Sequence, residues 1–260
     1  MEMSIQEIKR QFEETQNALE ERENAAGELE ELIARYREDE RAGVRALAGR
    51  AQKRLDALEA ERSRMWEMKR FEREYAAAGL VCGIDEAGRG PLAGPVVAGA
   101  VILPPKEILY LNDSKKLSAK RREELYEVIL REAVAVGVGY ASPERIDEIN
   151  ILQATYEAMR EAIGKLPGAP GVLLNDAVTI PGVSIRQVPI IKGDAKSASI
   201  AAASIVAKVT RDRLMEKYDS LFPQYGFAAH KGYGAAAHIE ALKKYGPCPI
   251  HRRSFIGHFV

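Results

Sequence analysis

The sequence predicts a mixed α/β domain with a central sheet covered on both faces, preceded by an all-helical extension. Two observations carry this. The first proline is Pro91, and the segment before Ala76 is built from helix formers with apolar residues at helical spacing. From Leu80 onward short apolar runs alternate with glycine, proline and longer helical stretches, the pattern of strands alternating with covering helices.

In the extension, residues 1–76, the apolar stripes are Ile5, Ile8 and Phe12, then Leu29, Ile33 and Tyr36, then Val44, Leu47, Ala51, Leu55 and Leu58. They are interrupted only by Gly27, Gly43 and Gly49, so two or three amphipathic helices are predicted. Such a segment serves as a solvated appendage, a substrate grip or an oligomerisation arm. The basic residues Arg62, Arg64, Lys69, Arg70 and Arg73 near its end suit either phosphate contact or plain solvation. In residues 77–260 the runs LVCGIDE, GPVVAGAVIL, AVAVGVGYA, VLLNDAV and IRQVPII read as strands. Helices are predicted from Pro143, with proline at a favourable first position, and from Ser197. The order is β, β, helix, β, helix, β, β, helix.

With 260 residues, 46% of them hydrophobic, the chain is long enough to bury a sizeable core. No apolar run approaches the length of a membrane span, and the first residues lack the pattern of a secretory signal, so a cytoplasmic protein without membrane association is expected. Cys82 and Cys248 are too few for a disulfide framework and are expected as reduced core residues. The zero net charge conceals an asymmetry. Residues 1–75 hold 15 Lys+Arg against 19 Asp+Glu, leaving 23 against 19 beyond, so the second part is mildly basic.

Chemistry concentrates at strand ends. Asp85 and Glu86 close the first apolar run, and strand alternation would send them to opposite faces, burying one at considerable cost unless a cation compensates. Gly88, Gly90 and Gly94 follow, with Arg89 among them. Their spacing does not fit a dinucleotide fingerprint but suits a tight loop whose backbone approaches a ligand. Asp176 and Asp194 end or follow two further apolar runs. Taken singly, these are turn or capping acids; taken together, four carboxylates could converge on one sheet edge and would then require cations. An all-oxygen set points to Mg²⁺ or Mn²⁺, the metals of phosphate chemistry. His230, His238, His251 and His258 show no metal-ligand spacing. The loop residues Asn112, Ser114, Lys115 and Lys116 combine donors suited to phosphate oxygens, with Lys192, Lys196, Ser197, Arg252 and Arg253 as further candidates.

The blocks GIDEAGRGPLAGPVVAGAVIL, LNDSKKLS, GDAKSASIAAASIVAKVTRDR, FPQYGFAAHKGYG and HRRSF, which together span residues 80–255 in order, resemble the ribonuclease HII family, type 2 ribonucleases H. The N-terminal residues resemble the helical extension some bacterial members carry. The resemblance implies a ribonuclease H-like mixed sheet flanked by helices. It also implies an endoribonuclease acting on RNA/DNA hybrids and on DNA duplexes containing ribonucleotides. By it, Asp85, Glu86, Asp176 and Asp194 are the catalytic carboxylates holding two Mg²⁺ or Mn²⁺ ions, and cleavage leaves 5′-phosphate and 3′-hydroxyl ends. Gly88, Arg89 and Gly90 would grip the ribose 2′-hydroxyl, the group that distinguishes RNA from DNA, and Tyr233 would pack on the sugar at the RNA-to-DNA junction. The expected enzyme is a monomer. Asn175, polar where the family has an apolar strand residue, makes the register of Asp176 an open point, and the chain ends soon after HRRSF. Two rivals stay open: a silent nucleic-acid binder keeping the fold, and another metal-dependent phosphoesterase on a similar sheet.

Overall fold

The computed structural model describes residues 3–19, 22 and 24–260. It divides into two compact units, Met1–Arg64 and Met65–Val260. The first opens with helix α1 (Ile5–Asn17), whose start is fixed reciprocally: the Ser4 hydroxyl accepts from the Glu7 amide, and the Glu7 carboxylate accepts from the Ser4 amide at 2.8 Å. Helix α2 (Ala25–Tyr36) follows, and α3 (Ala42–Met68) begins in the first unit and ends in the second. Ile8, Phe12, Leu29, Ile33, Val44, Ala51 and Leu55 are buried as their spacing predicts, with the Phe12 and Tyr36 rings 6.0 Å apart. Near the start of the third stripe the buried position is Ala48 and Leu47 is only half-buried, and Ile5, which opens the first stripe, is exposed.

The second unit includes the end of α3 because Met65 and Met68 are buried in its core, and Phe71 and Tyr75 pack beside Val172 and Leu174. Its elements are α4 (Arg70–Glu74), β1 (Val81–Ala87), β2 (Val96–Ile102), α5 (Ala119–Glu132), β3 (Ala135–Ala141), α6 (Pro143–Gly164), β4 (Val172–Asp176), β5 (Arg186–Ile190), α7 (Ala198–Leu221), α8 (Phe227–His230), α9 (Ala236–Tyr245) and α10 (Arg253–Ile256). The five-stranded sheet has the order β3-β2-β1-β4-β5. β1 and β2 pair antiparallel, as do β2 and β3, whereas β4 runs parallel to both β1 and β5. β1 is therefore the central strand and β5 an edge, which explains why β5 tolerates the exposed Pro189.

Alternation along β1 separates two cores. Cys82 and Ile84 join Ala98 and Ala100 of β2 under Ala154, Ala158 and Met159 of α6. On the opposite face Val101 packs with Leu125 and Ile129 of α5 and with Ala198, Ala202 and Ile205 of α7. The approach of α7 to β1 is so close that a Cβ at Gly83 would lie 2.1 Å from the Ser199 carbonyl carbon. α6 meets β3 in the same way, since a Cβ at Gly139 would lie 1.9 Å from the Ala158 carbonyl oxygen. The helix expected as one piece from Pro143 is interrupted at Asn150, whose φ is 68°. Its side-chain oxygen accepts from the Leu152 and Gln153 amides at 3.0 and 3.2 Å and so caps the second half.

Candidate active site

The parallel arrangement of β1, β4 and β5 points their C-terminal ends the same way, and this end of the sheet collects the acids. Asp85 lies in β1 on the side facing α7, Asp176 closes β4, and Asp194 sits in the single turn of 3₁₀ helix Gly193–Ala195 after β5. Ligand oxygens of Asp85, Asp176 and Asp194 all lie within 4.8 Å of one another. Glu86, on the other parity of β1, stands beside this trio and accepts from Arg89 Nη1 at 3.3 Å.

Each acid is held by a specific donor. Asp85 is only 5% exposed and takes a hydrogen bond from Ser204 of α7, whose hydroxyl is 2.9 Å from that of Ser114. The Glu86 amide donates to Asp85 Oδ1 at 2.7 Å. Asp176 Oδ1 accepts from the Gly193 amide at 2.7 Å, which ties the end of β4 to the turn carrying Asp194. The residues flanking that tie, Ala177 and Lys192, have left-handed φ of 55° and 56°, a strained conformation for non-glycine residues that marks sharp departures from β4 and β5.

The electrostatics are those of a desolvated anionic cluster. Burial, reinforced by the Glu86 and Asp176 charges, holds the Asp85 carboxyl well above the usual carboxylate range. Burial raises Glu86 against the pull of Arg89. Burial, with repulsion from Asp113 and Asp176, raises Asp194. Lys115 responds in kind: despite partial burial its ammonium is held above its ordinary range by Asp113, Asp194, Asp85 and Asp176. Buried carboxylates that repel one another and offer only oxygen atoms fit a hard divalent cation.

The remaining residues divide between the surface and the interior. Gly88, Arg89 and Gly90 form the loop after β1, and a Cβ on Gly90 would come 3.9 Å from the half-exposed ring of Tyr233. Lys115, Lys116, Lys192, Lys196 and Arg253 are exposed, and Asn112 is half-buried with its Oδ1 accepting from the Asp113 amide at 2.9 Å. Ser114 and Ser197 are buried and turn inward. Ser114 supports Ser204, while Ser197 caps α7 through the Ile200 amide at 3.2 Å and donates to Glu72 at 2.7 Å. The cap of α7 is thus Ser197 and not Asp194, which leaves that carboxylate for the cluster. Arg252, expected near phosphates, is fully buried. Asn175 is buried in register, its amide donating to Val178 O at 3.1 Å and Gln187 Oε1 at 2.8 Å, while its Oδ1 is buried without a hydrogen-bond partner. Ser204, Asp113 and Arg211 also serve this region without having been singled out in the sequence; a hydroxyl isolated in the small-residue run AAASIVAK was the available signal for Ser204.

Three of the histidines form a hydrogen-bonded and stacked cluster around Tyr225 and Phe227. His238 and His251 are buried with their Nε2 atoms 3.0 Å apart, His238 Nδ1 donates to Tyr233 O at 2.8 Å, and the Cys248 amide donates to His251 Nδ1 at 3.0 Å. Burial lowers both imidazoles, His251 to about 4, so the chain of hydrogen bonds is neutral and buttresses the Tyr233 segment.

A covered mixed sheet that gathers carboxylates at the ends of adjacent strands defines a metal-dependent nuclease of the ribonuclease H-like class. The family model for ribonuclease HII matches residues 82–258, and that for the ribonuclease HII N-terminal domain matches residues 4–76. The chain belongs to the ribonuclease HII family. It is 64% identical to ribonuclease HII of Lachnoclostridium phytofermentans over 85% of this chain and 88% of that one. It is 54% identical to ribonuclease HII of Clostridioides difficile over 87% and 90%. The crystal structure of ribonuclease H2 from Pyrococcus horikoshii OT3 is similar with a TM-score of 0.56 at 32% identity, covering 67% of this chain and 92% of the other. Among the described residues no helix is long and apolar enough to cross a membrane.

Proposed function

We propose that this chain is an endoribonuclease that hydrolyses the RNA strand of RNA/DNA hybrids and incises on the 5′ side of ribonucleotides embedded in duplex DNA, leaving 5′-phosphate and 3′-hydroxyl ends. The observation that carries the reading is the carboxylate trio, desolvated and mutually repelling within 4.8 Å at the ends of β1, β4 and the turn after β5. Asp85, Asp176 and Asp194, with Glu86 beside them, would hold two Mg²⁺ or Mn²⁺ ions. When bound, such a pair supplies positive charge at the attacking and leaving oxygens of an in-line displacement. The protein's own share is positional. Ser204 and the Glu86 amide orient Asp85, the Gly193 amide orients Asp176, and Lys115 brings a cation to where a scissile phosphate would meet the acids. Gly88, Arg89 and Gly90 would read the ribose, Tyr233 would pack on the neighbouring sugar, and Asn112, Lys116 and Lys196 would meet phosphates. Ser114 and Ser197 would contribute from within, through Ser204 and the start of α7. The reading takes the enzyme to be a cytoplasmic monomer, with residues 1–76 as its extension and 77–260 as its catalytic part; sedimentation as a dimer would remove the first of these.

The test is cleavage of a labelled DNA duplex with one ribonucleotide, in Mg²⁺, Mn²⁺ or chelator, beside an all-DNA control. Metal-dependent cutting only on the 5′ side of the ribonucleotide is expected. Tight binding without cutting would instead indicate a silent binder, and cutting of the control a general nuclease.

A further inference from the structure

Two arginines, Arg211 of α7 and Arg252 just before α10, are the largest fully buried side chains among the described residues. A buried guanidinium ordinarily answers a carboxylate, because an unpaired buried charge is costly. Here the donors go to main-chain carbonyls instead. Arg252 donates from Nε to Gly94 O at 2.9 Å, from Nη1 to Arg89 O at 2.9 Å and from Nη2 to Gly88 O at 2.5 Å. Arg211 donates from Nε to Pro95 O, from Nη1 to Lys231 O and from Nη2 to Ala93 O, at 2.9, 2.9 and 3.0 Å. Five of these six carbonyls belong to the loop joining β1 to β2. The sixth lies two residues before Tyr233. Gly88 itself, with φ 93°, leaves no room for a side chain, since a Cβ there would sit 2.1 Å from Arg211 Nε.

The peptide geometry gives this clamp a direction. Across a trans peptide the N–H of one residue points opposite to the C=O of the residue before it, and the chain has no cis bond. With the Gly88 and Arg89 carbonyls drawn onto Arg252, the N–H groups of Arg89 and Gly90 point away from its guanidinium. Among the described residues neither N–H has an acceptor within the chain. We infer that Arg252, backed by Arg211, is a positioning residue for sugar recognition: through the Gly88 and Arg89 carbonyls Arg252 fixes the two peptide planes that present the Arg89 and Gly90 N–H groups to a ribose 2′-hydroxyl, and Arg211 anchors the rest of the loop through Ala93, Pro95 and Lys231. The inference rests on the ribonucleotide reading above and adds how discrimination is built.

Arg252→Lys and Arg211→Lys separate geometry from charge, because lysine keeps the cation but its single ammonium cannot span three carbonyls as the guanidinium fork does. The measurement is the ratio of dissociation constants for an all-DNA duplex and the same duplex with one ribonucleotide, with Ca²⁺ replacing the catalytic cation so that the strand stays whole. Losing one well-directed hydrogen bond to the hydroxyl should narrow the wild-type ratio by about tenfold, with all-DNA affinity unchanged within about twofold. A ratio preserved in a folded Arg252→Lys variant overturns the clamp. In the wild-type protein, where folding is not at issue, the backbone amide resonances of Arg89 and Gly90 should shift on adding the ribonucleotide duplex and not the all-DNA one. Equal shifts with both overturn the inference while leaving the nuclease reading intact, and a wild-type ratio near one overturns both.

Discussion

Replacing Asp85 by asparagine should abolish cleavage while making the metal-free protein more stable, an opposition of signs that follows from how the carboxylate is placed. With ligand oxygens of the trio within 4.8 Å, two unit charges repel by about 3 kcal/mol at an effective dielectric constant of about 20. Proton uptake caps that cost, and each unit by which a pKa is raised corresponds to about 1.4 kcal/mol, so a net relief of about 1–2 kcal/mol is expected on removing one charge. For a protein of this size that is about 3–6 °C in Tm. The pH dependence has a definite sign. The folded-state pKa of Asp85 lies above its ordinary value of 3.8. Its contribution is therefore fully present below that value and is lost as pH rises through the raised one. Metal-free wild-type protein should lose stability on going upward from about pH 4, and Asp85→Asn should lose less; Glu86 and Asp194, also raised, preserve part of the slope. Calorimetry in chelator across that range, with and without added Mg²⁺, reads both effects, and Mg²⁺ should raise the Tm of wild type more than that of the variant. Retained cleavage by Asp85→Asn, or a metal-free variant less stable than wild type at neutral pH, would refute the reasoning.

Ser204→Ala removes the hydroxyl that steers Asp85 and leaves Ser114 without its partner; a loss of about tenfold in kcat with near-normal duplex affinity is expected, and unchanged turnover would show that Asp85 is positioned without it. Gly83→Ala drives a methyl group into the α7 main chain, which cannot yield as a side chain does, and should destabilise the protein by about 3 kcal/mol or more in urea titration; a variant within about 1 kcal/mol of wild type would mean that the helix shifts freely.

Strand positions were legible in the sequence because apolar runs bounded by glycine and proline leave little choice: four of the five predicted runs contain the observed strands, and the first falls short of its strand only by Ala87. Their order and directions were not, since a run such as VLLND looks the same whether its neighbour is parallel or antiparallel. Asp85, Asp176 and Asp194 could be suspected of converging because each ends or follows an apolar run, and the structure brings those three together. The interior half of the site was hidden for a different reason. Ser114, Ser197 and Arg252 look like surface donors in a linear reading, and only the chain path shows that they face inward, toward Ser204, the start of α7 and the loop carbonyls. The kink at Asn150 was masked by an otherwise continuous helical pattern on either side of it.

The seat of α7 on Gly83 has a consequence for tolerance. Where a helix rests on a sheet through side chains, small misfits are absorbed by rotamer changes; where main chain meets main chain, no such adjustment is available. Ser204 lies a little over one turn along α7 from Ser199, on the same rigid rod, and Asp85 lies two residues along β1 from Gly83. The spacing between hydroxyl and carboxylate is thus inherited from a contact between two backbones. A single methyl group at Gly83 would displace the rod that carries Ser204, and with it the donor to Asp85.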